Sequence, residues 1–380
     1  MMHLRKKSGG AAAICTAVAL SLIAPRLFAQ GYTVTDLGTL GGTSGTYAYG
    51  INDSGEVVGY SYTTSGAQRA FLYNNGTMQN LGALSGATGL SEAQGINSSG
   101  AVVGTMVNST GTLRAFLYEN GTVHDLGSLG GAAGESEGYA INGSFEVVGD
   151  SSIASGGSHP FLYNNTMQDL GSLSTRSPNG ALGINDSGEV VGYSYTASGV
   201  ERAFLYNGTM QDLGSLGGAD GGSCAYGINN GGEVVGVSDT SSDGSHAFLY
   251  KNGTMQDLGT LIGVTGFSEA EGINNSGEVV GWSDTTHTAQ SGVQDAFVDM
   301  NGKMTDLNIY LPQFTGIHLD NATGVNDEGQ IIVNGTDNGQ DCAFLLTPNE
   351  APGSAPDTGA TLVLLLGSVA GLSGWSAWRR

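Results

Sequence analysis

Between residues 32 and about 347 the chain is a succession of short apolar runs, separated by clusters of Gly, Asn, Asp and Ser, and the runs recur in a fixed order. The phrase Gly-Ile-Asn-Asp-Ser-Gly-Glu-Val-Val-Gly at 50–59 returns unchanged at 183–192, and in variant form at 95–104, 227–236 and 272–281. Its Asn defines a column: Asn52, Asn97, Asn142, Asn185, Asn229, Asn274 and Asn326. A second phrase, typified by Arg-Ala-Phe-Leu-Tyr, brings round Phe71, Phe116, Phe161, Phe204, Phe248, Phe297 and Phe344. A third, typified by Asp-Leu-Gly, brings round Leu37, Leu81, Leu126, Leu170, Leu213, Leu258 and Leu307.

Each unit reads as four short strands. One ends at a Gly-Ile pair, the next carries Glu-Val-Val-Gly, the third is the Ala-Phe-Leu-Tyr run, and the fourth leads into Asp-Leu-Gly. Asp-Ser-Gly and Asn-Gly connections accept the positive φ of tight turns, which fixes two hairpins per unit. Two hairpins in roughly 44 residues is the size of a propeller blade. The third-strand run is apolar on both faces, as suits a sheet packed between neighbours on each side.

The ends of the array separate a ring from an open solenoid. Residues 32–40 hold the third phrase alone, and the last unit stops after its second phrase at 342–348. The early segment can therefore supply the outer strand that the last unit lacks, whereas a solenoid would need polar caps that the sequence does not offer. The expected fold is all-β: a seven-bladed β-propeller with four short antiparallel strands per blade, closed by the N-terminal strand.

Composition agrees with many turns. The 65 Gly would suit a disordered tract, yet 39% of the residues are hydrophobic and they fall at regular intervals. Residues 1–29 carry Arg5, Lys6 and Lys7, then an apolar stretch, then Ala29, which is the layout of a cleaved secretory signal. At the other end, a short polar motif, an apolar stretch shorter than the ~20 residues of a comfortable span, and a terminal Arg379-Arg380 suggest a transient membrane anchor. Pro356, Asp357, Thr358 and Gly359, after Ala355, resemble the Val-Pro-Asp-Ser-Gly variant of the PEP-CTERM bacterial sorting signals. That resemblance implies an exosortase-type sorting enzyme as a partner during maturation. The divisions expected are a signal peptide at 1–29, the propeller at 30–348, a linker at 349–355 and the sorting signal at 356–380.

The two signals hold Arg5, Lys6, Lys7, Arg26, Arg379 and Arg380 but a single acid, Asp357, so the body is more acidic than the chain's net charge of -22. Nucleic acid and anionic membrane surfaces are excluded as partners, because neutralising phosphates needs clustered Lys and Arg.

The run Thr33-Val34-Thr35-Asp36-Leu37-Gly38-Thr39-Leu40-Gly41-Gly42, followed by the Gly-Ile-Asn phrase and by His246-Ala247-Phe248, resembles the HAF family of extracellular repeat proteins. The resemblance spans residues 32 to about 347. It implies a propeller exported to the surface or matrix of a bacterium, and it brings no catalytic residues.

Variation marks where function is expected. The hairpin turns are short and repetitive, while the connections at the opposite end of the ring are longer and differ from blade to blade. Two columns border that variable face: Arg69, Arg114, His159, Arg202 and His246 before the third-strand Ala-Phe, and Glu92, Glu137 and Glu269 on the first strand. These eight residues are the candidate ligand-binding set, for a polar glycan or a protein partner.

Gly134-Glu135-Ser136-Glu137-Gly138 matches a nucleophile elbow, but that motif needs a strand-to-helix turn. His124, His159, His246, His287 and His318 lie in separate units without metal-type spacing, and 238–245 offers an incomplete oxygen set for calcium. No cofactor is expected, with Ca²⁺ left open. Cys224 and Cys342 fall in separate units and read as unpaired thiols. The reading is a non-catalytic surface propeller. The alternative is a polysaccharide-active hydrolase or lyase using Glu92, Glu137 and Glu269, for which one blade would have to carry a singular acidic pair.

Overall fold

The computed structural model describes residues 31–82, 89–242, 244–263, 266–285, 293–312 and 315–349; the leader, the sorting motif Pro356 to Gly359 and His287 lie outside them. The described chain forms seven four-stranded antiparallel sheets. It is a seven-bladed β-propeller, as the repeats predict. In the second blade, Ser91–Ile96 lies at the axis, followed outward by Val102–Val107, Leu113–Glu119 and Thr122–Asp125. The last blade takes its outer strand from the other end of the chain: Tyr32–Asp36 pairs antiparallel with Gln340–Pro348, with Val34 opposite Leu346. Among the described residues no helix is long and apolar enough to cross a membrane.

The core lies between blades. Each third-strand Phe is at most 1% exposed, and Phe116 packs against Val58 and Ala70 of the preceding blade as well as Ala93 and Val102 of its own. Burying one such ring is worth about 1.5–3 kcal/mol. A Ser on the inner strand ties the same joint: Ser136 Oγ donates to Gly127 O at 2.5 Å and accepts from Ala115 N at 3.0 Å. Ser136 is thus a buried staple, 1% exposed, on a strand and not on a nucleophile elbow.

The Asn column closes one end of the ring. Asn52 Nδ2 donates to Asn97 O, Asn97 to Asn142, and so on through Asn185, Asn229, Asn274 and Asn326. Each Asn Oδ1 also accepts from its own turn, as Asn52 does from Ser54 N at 3.1 Å and Glu56 N at 3.0 Å. One buried side chain therefore both shapes its hairpin and ties that hairpin to the next. That double duty explains why the phrase hardly varies.

The Val-Val-Gly phrase has a steric cause. A Cβ at Gly192 would lie 2.0 Å from Gly180 O, and one at Gly149 would lie 1.9 Å from Glu137 O. The inner strand approaches so closely because it bulges. Register slips between Gly138 and Ala140 in the third blade, and between Ala93 and Gly95 in the second. The extra residue in each case, Tyr139 or Gln94, is aimed into the central channel.

Candidate active site at the channel mouth

Bulged residues line the channel. Tyr49, Gln94, Tyr139, Leu182 and Tyr226 come from successive blades and border one cavity of about 220 Å³. Two positions before the bulge stand Glu92, Glu137 and Glu269, so the same strand pleat puts these carboxyls beside the channel residues at the variable end.

The third blade differs from the others. Glu137 pairs across the strand with Asp150, a position held by Tyr60, Thr105, Tyr193, Val237, Trp282 and Asn334 in the other blades. The Tyr139 hydroxyl lies 3.1 Å from Glu137 Oε2 and 3.0 Å from Asp150 Oδ1. A phenol has one hydrogen to give, so both contacts are favourable together when one carboxyl carries a proton and donates it to the phenolic oxygen. Burial pushes Asp150 up to about 6, with the Glu137 charge adding to the rise and the Tyr139 hydrogen bond opposing it. Glu137 and Asp150 are thus two carboxyls that share one hydroxyl, with Asp150 raised by its burial.

The neighbouring carboxyls differ in their surroundings. Glu92 accepts from Gln68 Nε2 at 3.1 Å and from Gln94 Nε2 at 3.4 Å, and burial raises its pKa, as does the charge of Glu137. Across the ring, burial raises Glu269, against a hydrogen bond from Tyr226. Glu271, on the bulge of that blade, is pushed by burial to about 7 and accepts from Asn321 Nδ2 at 2.7 Å. Asp150 and Glu271 are the residues that the sequence reading missed. Comparing the column opposite Glu92, Glu137 and Glu269 would have singled out Asp150.

The basic column is held inside the ring. Arg114 and Arg202 are 4% and 5% exposed; they donate to the connecting-loop carbonyls of Ala132 and Ala219 at 2.6 Å each, and stand 3.7 Å from Asp125 and Asp212. His159 and His246 lie 2.9 Å from Asp169 and Asp257, and Arg69 donates to Gly89 O at 2.7 Å. In the sixth blade the position is Asp295, and His318 of the next blade reaches it at 2.9 Å. Of the eight candidates, therefore, the three Glu residues stand beside the channel residues, the three Arg residues tie connecting loops to their blades, and the two His residues pair with acids on the outer strands of their own blades.

Cys224 and Cys342 are buried thiols in separate blades. Asp239, in the segment considered for calcium, accepts from Gly222 N at 2.7 Å and Ser245 Oγ at 2.8 Å. Among the described residues no three His, Cys, Asp or Glu are grouped to hold a metal ion.

No family model and no curated protein matches the chain. Solved structures do resemble it. A puromycin-hydrolyzing peptidase from Mycobacterium tuberculosis superposes with a TM-score of 0.56 and 8% identity over 80% of this chain and 52% of that one. A puromycin hydrolase gives 0.54 and 11% over 77% and 50%. An oligogalacturonate lyase, in complex with manganese, gives 0.50 and 12% over 85% and 94%. The chain thus spans about half the length of the two hydrolases and nearly all of the lyase. At such identities the likeness is one of fold. The three structures are nonetheless described as those of enzymes, and among the described residues only the third blade sets two acids opposite each other at this cross-strand position. The expectation of a non-catalytic binding propeller, and with it of no enzymatic activity, is corrected on these two findings.

Proposed function

We propose that the protein is a polysaccharide-active hydrolase whose acid is Asp150 and whose second carboxyl is Glu137. The observation that carries this reading is the single Tyr139 hydroxyl within hydrogen-bond reach of both. Asp150, protonated up to about pH 6, gives its proton to the leaving glycosidic oxygen. Glu137 bonds to the sugar carbon as the glycosidic bond breaks, and a water molecule deprotonated by Asp150 then hydrolyses the glycosyl ester, freeing Glu137 and returning the proton to Asp150. The two oxygens can be no farther apart than the two contacts laid end to end. That suits the close pair of a double-displacement glycosidase, about 5 Å, better than the roughly 6.5–9.5 Å pair that leaves room for a water.

Charge points to a neutral glycan. Glu92, Glu137, Asp150, Glu269 and Glu271 surround the mouth, while Arg69, Arg114 and Arg202 are engaged with carbonyls and acids within the blades. An anionic polymer would meet like charge there. The lyase likeness supports glycan cleavage in a chain that is little more than a propeller, without carrying that enzyme's substrate over. Export belongs to the same proposal: the leader and sorting signal would place the protein where extracellular polysaccharide is met, and mass spectrometry of the mature C-terminus, cut near Pro356 to Gly359 or intact at Arg380, decides it.

The test is release of reducing ends from neutral polysaccharides by the purified protein and by its Glu137→Gln and Asp150→Asn variants. Cleavage lost in both variants supports the assignment. Unsaturated products from a uronate polymer would replace hydrolysis by elimination, and no cleavage of any glycan overturns the reading.

A further inference from the structure

The first blade carries a cluster that neither the core nor the acid pair uses. Tyr47 and Tyr60 face each other across the strand pair, their ring centroids 5.0 Å apart and their planes at 28°. Tyr49 and Tyr62 flank Tyr60, each with its ring centroid 5.9 Å away. The first blade's core contains Ala48, Val57, Phe71 and Tyr73; these four rings are half-buried instead. Three of the hydroxyls are engaged: Tyr47 donates to Asp341 Oδ2 at 2.7 Å, and Tyr49 and Tyr60 are hydrogen-bonded to each other. Fixed rings with two rotatable bonds apiece give a large contact surface at small entropic cost.

The cluster is continuous with the proposed site. Tyr49, Gln94 and Tyr139 line the same cavity in successive blades, and Glu92 stands between the cluster and the pair, close enough to influence Tyr49 and to be influenced by Glu137. A half-buried aromatic cluster rimmed by acceptors such as Asp341 and Glu92 offers a pyranose ring faces and edges for its C–H groups and acceptors for its hydroxyls. The same acceptors disfavour a uronate or sulfated sugar.

We infer that Tyr47, Tyr49, Tyr60 and Tyr62 form a stacking subsite for a neutral sugar ring of the chain whose bond meets Glu137 and Asp150, an inference that rests on the glycan-cleaving reading above. Binding and cleavage can be measured apart. The whole protein is run by affinity electrophoresis through gels holding xylan, laminarin, hydroxyethylcellulose or starch, beside Tyr60→Leu, Tyr60→Phe and Glu137→Gln. The expected result is retardation by one of these polymers, apparent affinity about tenfold weaker in Tyr60→Leu, recovery in Tyr60→Phe, and retention in Glu137→Gln. Equal retardation of the wild type and Tyr60→Leu, or no retardation by any polymer, overturns the subsite. Retardation that Tyr60→Leu loses, without cleavage by the wild type, leaves the subsite standing and overturns the catalytic reading.

Discussion

The side-chain amide of Asn326 donates to the main-chain carbonyl of Asn52 at 2.9 Å, joining the last blade to the first across 274 positions of sequence. With this bond the Asn column becomes a closed circuit, and the N-terminal strand in the last blade is not the sole clasp of the ring. Asn326→Ala removes that donor and the acceptor that orders residues 326–330, leaving buried main-chain groups unpaired. The expected cost is about 1–3 kcal/mol, read as a lower urea midpoint at unchanged slope.

Gly192 stands on the fourth blade, beside the blade that holds the acid pair, and its substitution is read through stability rather than activity. Gly192→Ala must displace the Gly180 carbonyl from the 2.0 Å that a Cβ would find. A loss of about 1–3 kcal/mol in thermal unfolding is expected. A variant as stable as the wild type would show that the inner strand can shift.

Asp150 sets a pH limit on activity. As the acid it must be protonated, so the rate should fall as pH rises past about 6. Asp150→Asn and Glu137→Gln should each lower kcat by about 10²–10⁴. A kcat profile flat from pH 5 to 8 would remove Asp150 from that role.

Glu271 sets a pH dependence of stability. Its folded pKa, about 7, lies above the ordinary 4.5, so folding takes up a proton between those values. Stability should therefore fall as pH rises through that window and level off above it. Glu271→Gln should flatten this slope by on the order of 1–2 kcal/mol, allowing for partial screening. The check is urea unfolding at pH 4.5 and pH 8.

The blades, their number and the identity of the closing strand were legible because each depends on neighbours along the chain. Alternating apolar positions, Asn-Gly and Asp-Ser-Gly turns, and the permuted ends act within one repeat, and repetition stated them seven times. Glu92, Glu137 and Glu269 were named from the sequence by a shared first-strand position, which the strand pleat repeats from blade to blade. The basic column was placed at the same face, yet Arg114 and Arg202 turn to carbonyls about 17 residues away, which spacing within a repeat does not reveal.

What the sequence determined by itself is the periodic part: strands, turns, a ring, and the Gly and Asn that recur because every blade meets the same steric and hydrogen-bonding demand. What only the tertiary structure decided is the departure from the period. Asp150 is paired across the strand with Glu137 while a bulge turns Tyr139 to both, and its raised pKa comes from burial that no single repeat contains. Local chemistry fixes what repeats; protonation and proximity are set by groups that meet only once the ring is closed.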